Sequence, residues 1–276
     1  HEWMDEKRLT LKQFGAHRSL FETLEALNPP KISFEESFRL HQTMAKFLCD
    51  EIYIRDGINY HSNKINTLPD LTHEDEYVAA VLDSAHPLIV IIHGEESSQK
   101  QNPFEQRLIA PILHTLADAQ TYGLKADKGF GVVVPHRAQR IALRQAFPEL
   151  SLLDSEGNIV ADAVDTVERY QGGERDVILV SATESDPEYL RASAGFLLDP
   201  RRLNVALSRA KKKMILIASR SVFSFFSSDE ELYENSLIWK NLLRRSCTVL
   251  LWEGIVENIP VRVWGAPSQK SNVKSH

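Results

Sequence analysis

The sequence predicts a three-layer α/β domain with a mainly parallel sheet, and two observations support this class. Short, continuous apolar runs at 88–92, 177–181 and 214–218 have the length and composition of strands buried on both faces. Segments with helical periodicity separate these runs, and strands that alternate with helices form parallel sheets with right-handed crossovers. A chain of 276 residues is long enough to bury such a core.

Helix starts and one strand organise the first half of the chain. Capping-box patterns at 19–22 and 33–36 begin two helices, and the second continues to Ile52 on apolar residues spaced for one buried face. After the strand at 88–92, Asn102 caps a helix with Pro103 at its first position and Glu105 at its third. Capping explains Glu105 as well as a functional role does.

The second half continues the alternation. Its predicted elements are a strand at 129–135, a helix at 136–147, a strand leading into 164–166, the strands at 177–181 and 214–218, helical segments at 223–226 and 239–243, and a final strand at 248–252. We expect a connecting segment at 1–18, one domain at 19–255 and a C-terminal tail at 256–276.

Composition is that of a soluble globular protein. The net charge of −6 argues against non-specific binding of nucleic acid by the whole surface. The lysine triplet at 211–213 is the best candidate for a local basic stripe, and a solvated turn is its alternative. No apolar run approaches the roughly 20 residues that span a bilayer, so we expect no membrane partner. Cys49 and Cys247 form no disulfide framework, which favours the cytoplasm, or the nucleus in a eukaryote.

The most informative stretch is 164–219, where two polar segments each lead to a short apolar strand. The first is VDTVERYQGGERD before VILVS, and the second is DPRRLNVALSRA before KKKMILIA. Open α/β sheets place their chemistry at strand ends and in the loops beside them. Gln171, Asn204 and Arg209 are not residues that a packing requirement would select.

These segments resemble the last two motifs of superfamily 1 helicases, in the branch that includes the RNA helicase of nonsense-mediated decay. The family patterns are VDT-x-x-x-x-QG-x-E-x-D and RLNVA-[LIV]-[ST]-R-A-[KR]. Upstream, the FRLH at 38–41 is similar to the family's YRMH, and 132–139 is similar to VITPYRAQ, with His136 in place of Tyr. The resemblance implies a RecA-like, P-loop-NTPase-type fold and the second lobe of an ATP-dependent helicase.

The resemblance also implies roles for individual residues. Arg39 and Arg209 are the expected catalytic arginines, because a guanidinium stays charged and can grip two phosphate oxygens. The expected nucleotide-binding residues are Arg39, Gln171, Gly172, Glu174 and Arg209. The expected nucleic-acid-binding residues are His136, Gln139, Asp165 and Thr166.

Plain structural explanations remain open for these residues. Arg39 on its own suits a surface ion pair, and Arg209 suits a charge at a helix C-terminus. Gly172 and Gly173 suit a turn before a strand, although a turn does not explain Gln171. Thr166 suits a strand through β-propensity alone.

Several catalytic motifs are absent from the sequence. There is no G-x-x-x-x-G-K-[ST] loop and no apolar strand that ends in an Asp-Glu pair, so the phosphate cradle and the magnesium ligands are missing. The histidines lack metal-ligand spacing, and no G-x-S-x-G elbow supports a serine hydrolase. We therefore expect half an active site. ATP and Mg²⁺ would act in the full-length enzyme, with none bound to this chain, which alone should not hydrolyse ATP.

The expected function is the C-terminal lobe of a superfamily 1 helicase that moves 5′ to 3′ along a single strand. Its expected partners are single-stranded DNA or RNA and the first RecA-like lobe of the same polypeptide. The alternative is a degenerate module that binds nucleic acid or a protein without hydrolysis. The presence of Arg39, Arg209 and the segment from Gln171 to Glu174 disfavours it, because a scaffold needs neither the arginines nor that segment.

Overall fold

The computed structural model describes residues 35–167, 169 and 173–267. Its helices are α1 (Gln42–Glu51), α2 (Glu76–Leu82), α3 (Pro103–Ala117), α4 (Arg137–Ala146), α5 (Pro187–Leu197), α6 (Pro200–Leu207), α7 (Arg220–Ser224) and α8 (Glu230–Asn241). Its strands are β1 (Leu88–His93), β2 (Phe130–Val134), β3 (Ser151–Leu153), β4 (Ile159–Asp162), β5 (Val164–Thr166), β6 (Arg175–Ser181), β7 (Ala210–Ser219), β8 (Val249–Val256) and β9 (Ile259–Gly265). Short 3₁₀ helices occur at Tyr53–Asp56 and Pro148–Leu150, and a π-helix occurs at Leu242–Ser246.

Seven strands form one sheet in the order β5–β2–β6–β7–β1–β9–β8, and β3 pairs with β4 in a separate two-stranded sheet. The first five of the seven run parallel, while β9 is antiparallel to β1 and β8 is antiparallel to β9. The parallel strands include the continuous apolar runs of the sequence, because helices cover both faces of such strands. The predicted α/β class with a mainly parallel sheet is confirmed.

Helices on both faces divide the core into two clusters. Alternate residues of β1 contribute to different clusters, because successive side chains of a strand lie on opposite faces. Val90 belongs to the cluster that contains Met44 of α1, and Ile91 to the one that contains Phe104 of α3. These three layers are consistent with the predicted RecA-like fold.

The helix starts agree with the sequence in one case and differ in another. Asn102 accepts a hydrogen bond from the Glu105 N–H at 2.9 Å, as its predicted capping role requires. Helix α1 begins later than the pattern at 33–36 suggests, because His41 Nδ1 accepts from the Thr43 N–H at 3.2 Å and caps it. Ser33 and the pattern at 19–22 lie outside the described residues.

The C-terminal end differs most from the prediction. The sequence indicates a final strand at 248–252 followed by a tail from 256, but β8 turns at Glu257 and Asn258 into β9, which pairs with β1. Both turn residues have positive φ, of 48° and 67°, as a tight hairpin turn requires. The hairpin is hard to detect in the sequence because β8 is the outermost strand of the sheet. Its apolar residues Leu250 and Ile255 are exposed, so apolar and polar positions do not separate buried from exposed side chains.

In the described part of the chain, no helix is long and apolar enough to cross a membrane.

Candidate functional site

The predicted site residues fall on two opposite edges of the sheet. Glu174 precedes β6 and Arg209 precedes β7, so both lie at the amino ends of adjacent parallel strands. His136 follows β2 and Thr166 ends β5, so both lie at carboxyl ends. We call these the amino edge and the carboxyl edge. A strand of the length of β6 spans roughly 23 Å, so the two groups of residues form separate sites.

Arg39 joins the amino edge although it is distant in sequence. Its Nε donates to Glu174 Oε2 at 2.8 Å, and its Nη1 donates to the carbonyl oxygen of Ser208 at 3.1 Å. The turn ahead of α1 orients it, because Ser37 Oγ accepts from the Arg39 N–H at 3.3 Å. The guanidinium therefore contacts the residue immediately before Arg209, and the two predicted catalytic arginines share one edge.

Glu174 is the carboxylate that holds Arg39. The hydrogen bond from Arg39 is the main reason that the pKa of Glu174 lies below its ordinary value, and the nearby Lys211 adds to the effect. The carboxylate is therefore charged at neutral pH. About half of the Glu174 side chain is exposed, so an incoming anion can compete with it for the guanidinium.

Arg209 lies where α6 ends and β7 begins. Its carbonyl oxygen accepts from the Arg175 N–H at 3.0 Å, which ties it to the start of β6. The buried Nε of Arg209 has no hydrogen-bond partner among the described residues. A donor left unused in this way suits an anion that the chain itself does not supply. A favourable position at a helix C-terminus remains the alternative.

Gln171 and Gly172 lie outside the described residues, and their nucleotide-binding roles stay predictions. Both belong to the segment 167–174, which connects the carboxyl end of β5 to the amino end of β6. The same connection therefore joins the two edges along the chain.

At the carboxyl edge, Asp165 is held by arginines. Its carboxylate lies 3.2 Å from Arg140 Nε and 3.8 Å from Arg169 Nε, and it accepts from the Thr166 N–H at 2.8 Å. Thr166 is only 7% exposed. A nucleic-acid contact by this pair would therefore involve Asp165 and its arginines more than the Thr166 side chain.

His136 is part of a stack of side chains on the same edge. Its Nε2 is hydrogen-bonded to Glu184 Oε1 at 2.7 Å. The imidazole ring stacks on Phe196 with centroids 5.8 Å apart and planes inclined by 12°. The guanidinium carbon of Arg202 lies 3.6 Å from the centroid of the Phe196 ring. Aromatic and guanidinium faces of this kind are surfaces on which nucleobases stack.

Gln139 does not reach the surface. The side chain is fully buried, and its Oε1 accepts from the Asn102 N–H at 2.9 Å while its Nε2 donates to Ser181 Oγ at 3.2 Å. The predicted direct contact with nucleic acid is therefore not available to Gln139 in this arrangement. Its hydrogen bonds instead connect α4 with the start of α3 and the end of β6.

The sequence did not reveal the buried polar cluster behind the carboxyl edge. Glu105 is fully buried, and its carboxyl oxygens accept from the Thr183 N–H at 3.0 and 3.2 Å and from the Ser181 hydroxyl. His93 Nε2 is hydrogen-bonded to the same carboxyl group at 3.2 Å. The Glu105 side chain thus connects α3 with β1 and β6, a role that the capping pattern in the sequence does not indicate.

This cluster fixes an unusual backbone conformation. Thr183 has a φ of 65°, in the left-handed region that β-branched residues rarely adopt. The bonds from its N–H to Glu105 hold the loop after β6, and the next residue in that loop is Glu184, the partner of His136. Glu105 therefore positions the stack indirectly.

The lysine triplet is neither a solvated turn nor a free basic stripe. Lys211 and Lys212 pair with Asp176 at 3.3 and 3.0 Å. Lys213 is buried within β7, and its Nζ donates to the carbonyl oxygens of Asp83 and His86, both at 2.7 Å. Burial lowers the pKa of Lys213 to about 7. The alternation of β7 places this lysine inside, where it supports the connection between α2 and β1.

No group of three or more His, Cys, Asp or Glu in the described part of the chain is arranged to hold a metal ion.

Comparisons of the sequence with known proteins agree with these motifs. A family model described as an AAA domain matches residues 16–221, which is most of the chain. The chain is 25% identical over 224 residues to the DNA replication ATP-dependent helicase/nuclease JHS1 of Arabidopsis thaliana, covering 77% of this chain and 16% of that protein. It is 26% identical over 214 residues to the DNA-binding protein SMUBP-2 of Rattus norvegicus, covering 74% and 20%.

A solved structure, the C-terminal domain of a possible DNA helicase from Lactobacillus plantarum, matches 71% of this chain and 97% of that one, at 14% identity and a TM-score of 0.37. The chain spans no more than a fifth of the length of the two curated relatives. The family match extends over the motifs at 38–41, 132–139 and 164–210 that define both edges. The chain therefore belongs to the AAA domain family AAA_12 and is a superfamily 1 helicase-like domain.

Proposed function

We propose that this domain is the second RecA-like lobe of an ATP-dependent superfamily 1 helicase, and that its amino edge supplies Arg39 and Arg209 to ATP bound at a first lobe. One observation carries the proposal. Arg39 and Glu174, 135 positions apart, meet beside Ser208 and Arg209 at the amino ends of two adjacent strands. Core packing gives no reason for two partly buried arginines to converge there.

The charges of the amino edge suit a phosphate group. Its described charged side chains include four cations and two carboxylates, namely Arg39, Arg209, Lys211, Lys212, Glu174 and Asp176. Guanidinium groups keep their charge and can bind two phosphate oxygens at once. An arginine supplied across an interface raises the rate of phosphoryl transfer by about 10³ to 10⁵, because it stabilises the charge of the transition state.

Each residue of the amino edge then has a distinct task. Glu174 keeps Arg39 extended until phosphate oxygens replace the carboxylate as acceptors. The same phosphate supplies the hydrogen-bond acceptor that Arg209 Nε lacks within the described chain. Phe38 is 76% exposed beside Arg39 and offers an aromatic face to the base of the nucleotide. The phosphate cradle and the magnesium ligands would come from the first lobe.

The carboxyl edge would bind the single-stranded nucleic acid. The stack of His136, Phe196 and Arg202 supplies aromatic and cationic faces for bases, and Arg140 and Arg169 beside Asp165 supply positive charge for phosphates. In this proposal Thr166 and Gln139 act mainly by positioning these groups, since both are buried.

The connection at 167–174 would couple the two edges. It begins beside Thr166 and ends at Glu174, so a displacement of Glu174 that accompanies phosphate binding is transmitted towards the strand-binding edge. Closing and reopening of the two lobes would then move the enzyme along the strand, in the 5′ to 3′ direction that the resemblance implies.

ATP turnover with and without a first lobe tests this proposal. The purified chain should hydrolyse no ATP, either alone or with single-stranded DNA or RNA. The same chain joined to a first lobe that carries a G-x-x-x-x-G-K-[ST] loop should hydrolyse ATP faster when a single strand is present. Turnover by the chain alone would contradict the half-site account. A two-lobe protein that binds nucleic acid but never hydrolyses ATP would identify a degenerate binding module instead.

A further inference from the structure

A groove that none of the sequence motifs includes lies at the β1–β9 side of the carboxyl edge. Two adjoining hollows, of about 280 and 100 Å³, share Ile92, Arg220 and Arg262 as walls. Phe223, Leu243 and Trp264 complete the wall of the larger hollow. We call the two hollows the arginine groove.

The sheet register places these side chains together. Arg262 of β9 pairs with Ile92 of β1, and Trp264 pairs with Val90, so the four side chains share one face of the sheet. Arg220 follows directly after the carboxyl end of β7, the strand beside β1. Arg262 and Trp264 belong to the β8–β9 hairpin, which lies beyond the residues that the family model matches. Ile92 and Arg220 lie within those residues, so the match includes only part of the groove.

Both arginines are held in place and remain accessible. Arg220 donates through Nε and Nη2 to Glu96 Oε1 at 3.3 and 3.0 Å, and Arg262 contacts Glu253 Oε1 through the same two nitrogens at 2.8 Å. The two side chains are 67% and 56% exposed. Among the contacts within the described chain, neither Nη1 is used. The glutamates thus orient each guanidinium and leave one side of it to a ligand.

We infer that the arginine groove binds one nucleotide of the single strand, with its phosphate on Arg220 and Arg262 and its base in the larger hollow against Trp264. A cavity of about 150 Å³ holds a benzene ring, so a hollow of 280 Å³ has room for a nucleobase. Guanidinium groups beside an aromatic wall are the combination that single-strand binding uses. An acidic peptide would engage the arginines but leave the apolar hollow unfilled.

The position of the groove also favours a nucleic acid. Four strand spacings separate β2, which His136 follows, from β9 along the sheet, a distance of roughly 19 Å. A strand that passes the stack of His136 and Phe196 at the carboxyl edge can therefore reach the groove a few nucleotides further on. This inference rests on the proposed single-strand track and extends it.

The affinity of the chain for labelled oligothymidylate and oligouridylate, measured by fluorescence anisotropy across a salt series, tests the inference. Each lost phosphate contact lowers the slope of log affinity against log salt by about 0.7 for a single strand. The double variant Arg220→Gln with Arg262→Gln removes the contact with one phosphate and should therefore lose about 0.7 from this slope. Trp264→Leu should weaken binding about tenfold and leave the slope unchanged.

A matched control removes the same charge elsewhere. Arg55 and Arg107 are also exposed arginines paired with glutamates, Glu234 and Glu257, and lie outside the groove. The double variant Arg55→Gln with Arg107→Gln should keep the wild-type slope. An equal loss in both double variants would show a general charge effect and overturn the inference.

The remaining outcomes separate this inference from the proposed function. Suppose that the wild type binds single strands, that His136→Ala weakens this binding and that the groove variants change nothing. Nucleotide binding by the groove is then refuted, and the proposed single-strand track is supported. If the wild type binds no single strand, both the groove inference and the proposed track are refuted. Displacement of the oligonucleotide by an acidic peptide, with loss of that effect only in the groove variants, would assign the groove to a protein partner and contradict the inference.

Discussion

Replacement of Glu105 by alanine should strongly destabilise the fold, although no catalytic role is assigned to this residue. Glu105 is fully buried and joins three elements through hydrogen bonds to His93, Ser181 and Thr183. The Ser181 hydroxyl keeps Gln139 and the Thr183 hydroxyl as partners after the substitution. His93 would keep none, since its Nδ1 already lacks a hydrogen-bond partner within the described chain.

The magnitude follows from the groups that lose their partners. The His93 ring and the Thr183 N–H would both be buried and unpaired, at about 1 to 3 kcal/mol each. The left-handed backbone of Thr183 would also lose the contact that holds it, which lets the loop relax and limits the total cost. We expect a loss of about 4 kcal/mol in the free energy of unfolding, a large share of the roughly 5 to 15 kcal/mol of a typical domain.

Urea denaturation of the wild type and three variants measures this loss. Glu105→Gln should cost less, about 1 to 2 kcal/mol, because its amide oxygen can still accept from the Thr183 N–H. Glu156→Ala, in an exposed turn, should change stability by less than about 0.5 kcal/mol. A Glu105→Ala variant within about 1 kcal/mol of the wild type would refute the argument that this cluster holds the carboxyl edge.

Three further predictions concern Lys213 and the amino edge. Because the pKa of Lys213 is lowered from 10.5 to about 7, the unfolded chain binds more protons at this position between those values. Stability relative to Lys213→Met should therefore rise with pH across that window, by up to about 1.4 kcal/mol per unit, and a constant difference would contradict the burial argument. Arg39→Ala should cost less than about 1 kcal/mol of stability in urea denaturation, since its pairing with Glu174 is exposed. Phe38→Ala should leave stability unchanged but raise the KM for ATP of a two-lobe protein, and an unchanged KM would exclude base stacking by Phe38.

The sequence predicts the parallel part of the sheet well and the hairpin at its end poorly. Strands buried on both faces appear as continuous apolar runs, so β1, β6 and β7 are recognisable without any partner. Strand β9 pairs only after a turn whose residues, Glu257 and Asn258, are weak hairpin signals compared with Asn-Gly.

The candidate site is predictable from the sequence where motifs carry it and not where tertiary contacts do. The motif resemblance identifies Arg39 and Arg209 as candidates. Their position at the same edge depends on the hydrogen bond from Arg39 to the carbonyl oxygen of Ser208, 169 positions away. The burial of Glu105 and Lys213 was not predicted, because a charged residue with an adequate local explanation gives no sign of burial in the sequence. Only the packing of α3 and β7 shows that both side chains lie inside.

A two-lobe protein with Arg209 intact, with Arg209→Ala and with Arg209→Lys tests whether Arg209 acts on ATP held by another lobe. The quantities to measure are ATP turnover and ATP affinity. We expect kcat to fall by about 10³ or more in the alanine variant and to be only partly restored by lysine, which cannot bind two phosphate oxygens as a guanidinium does. ATP affinity should change far less. Turnover that is unchanged in the alanine variant would contradict the account.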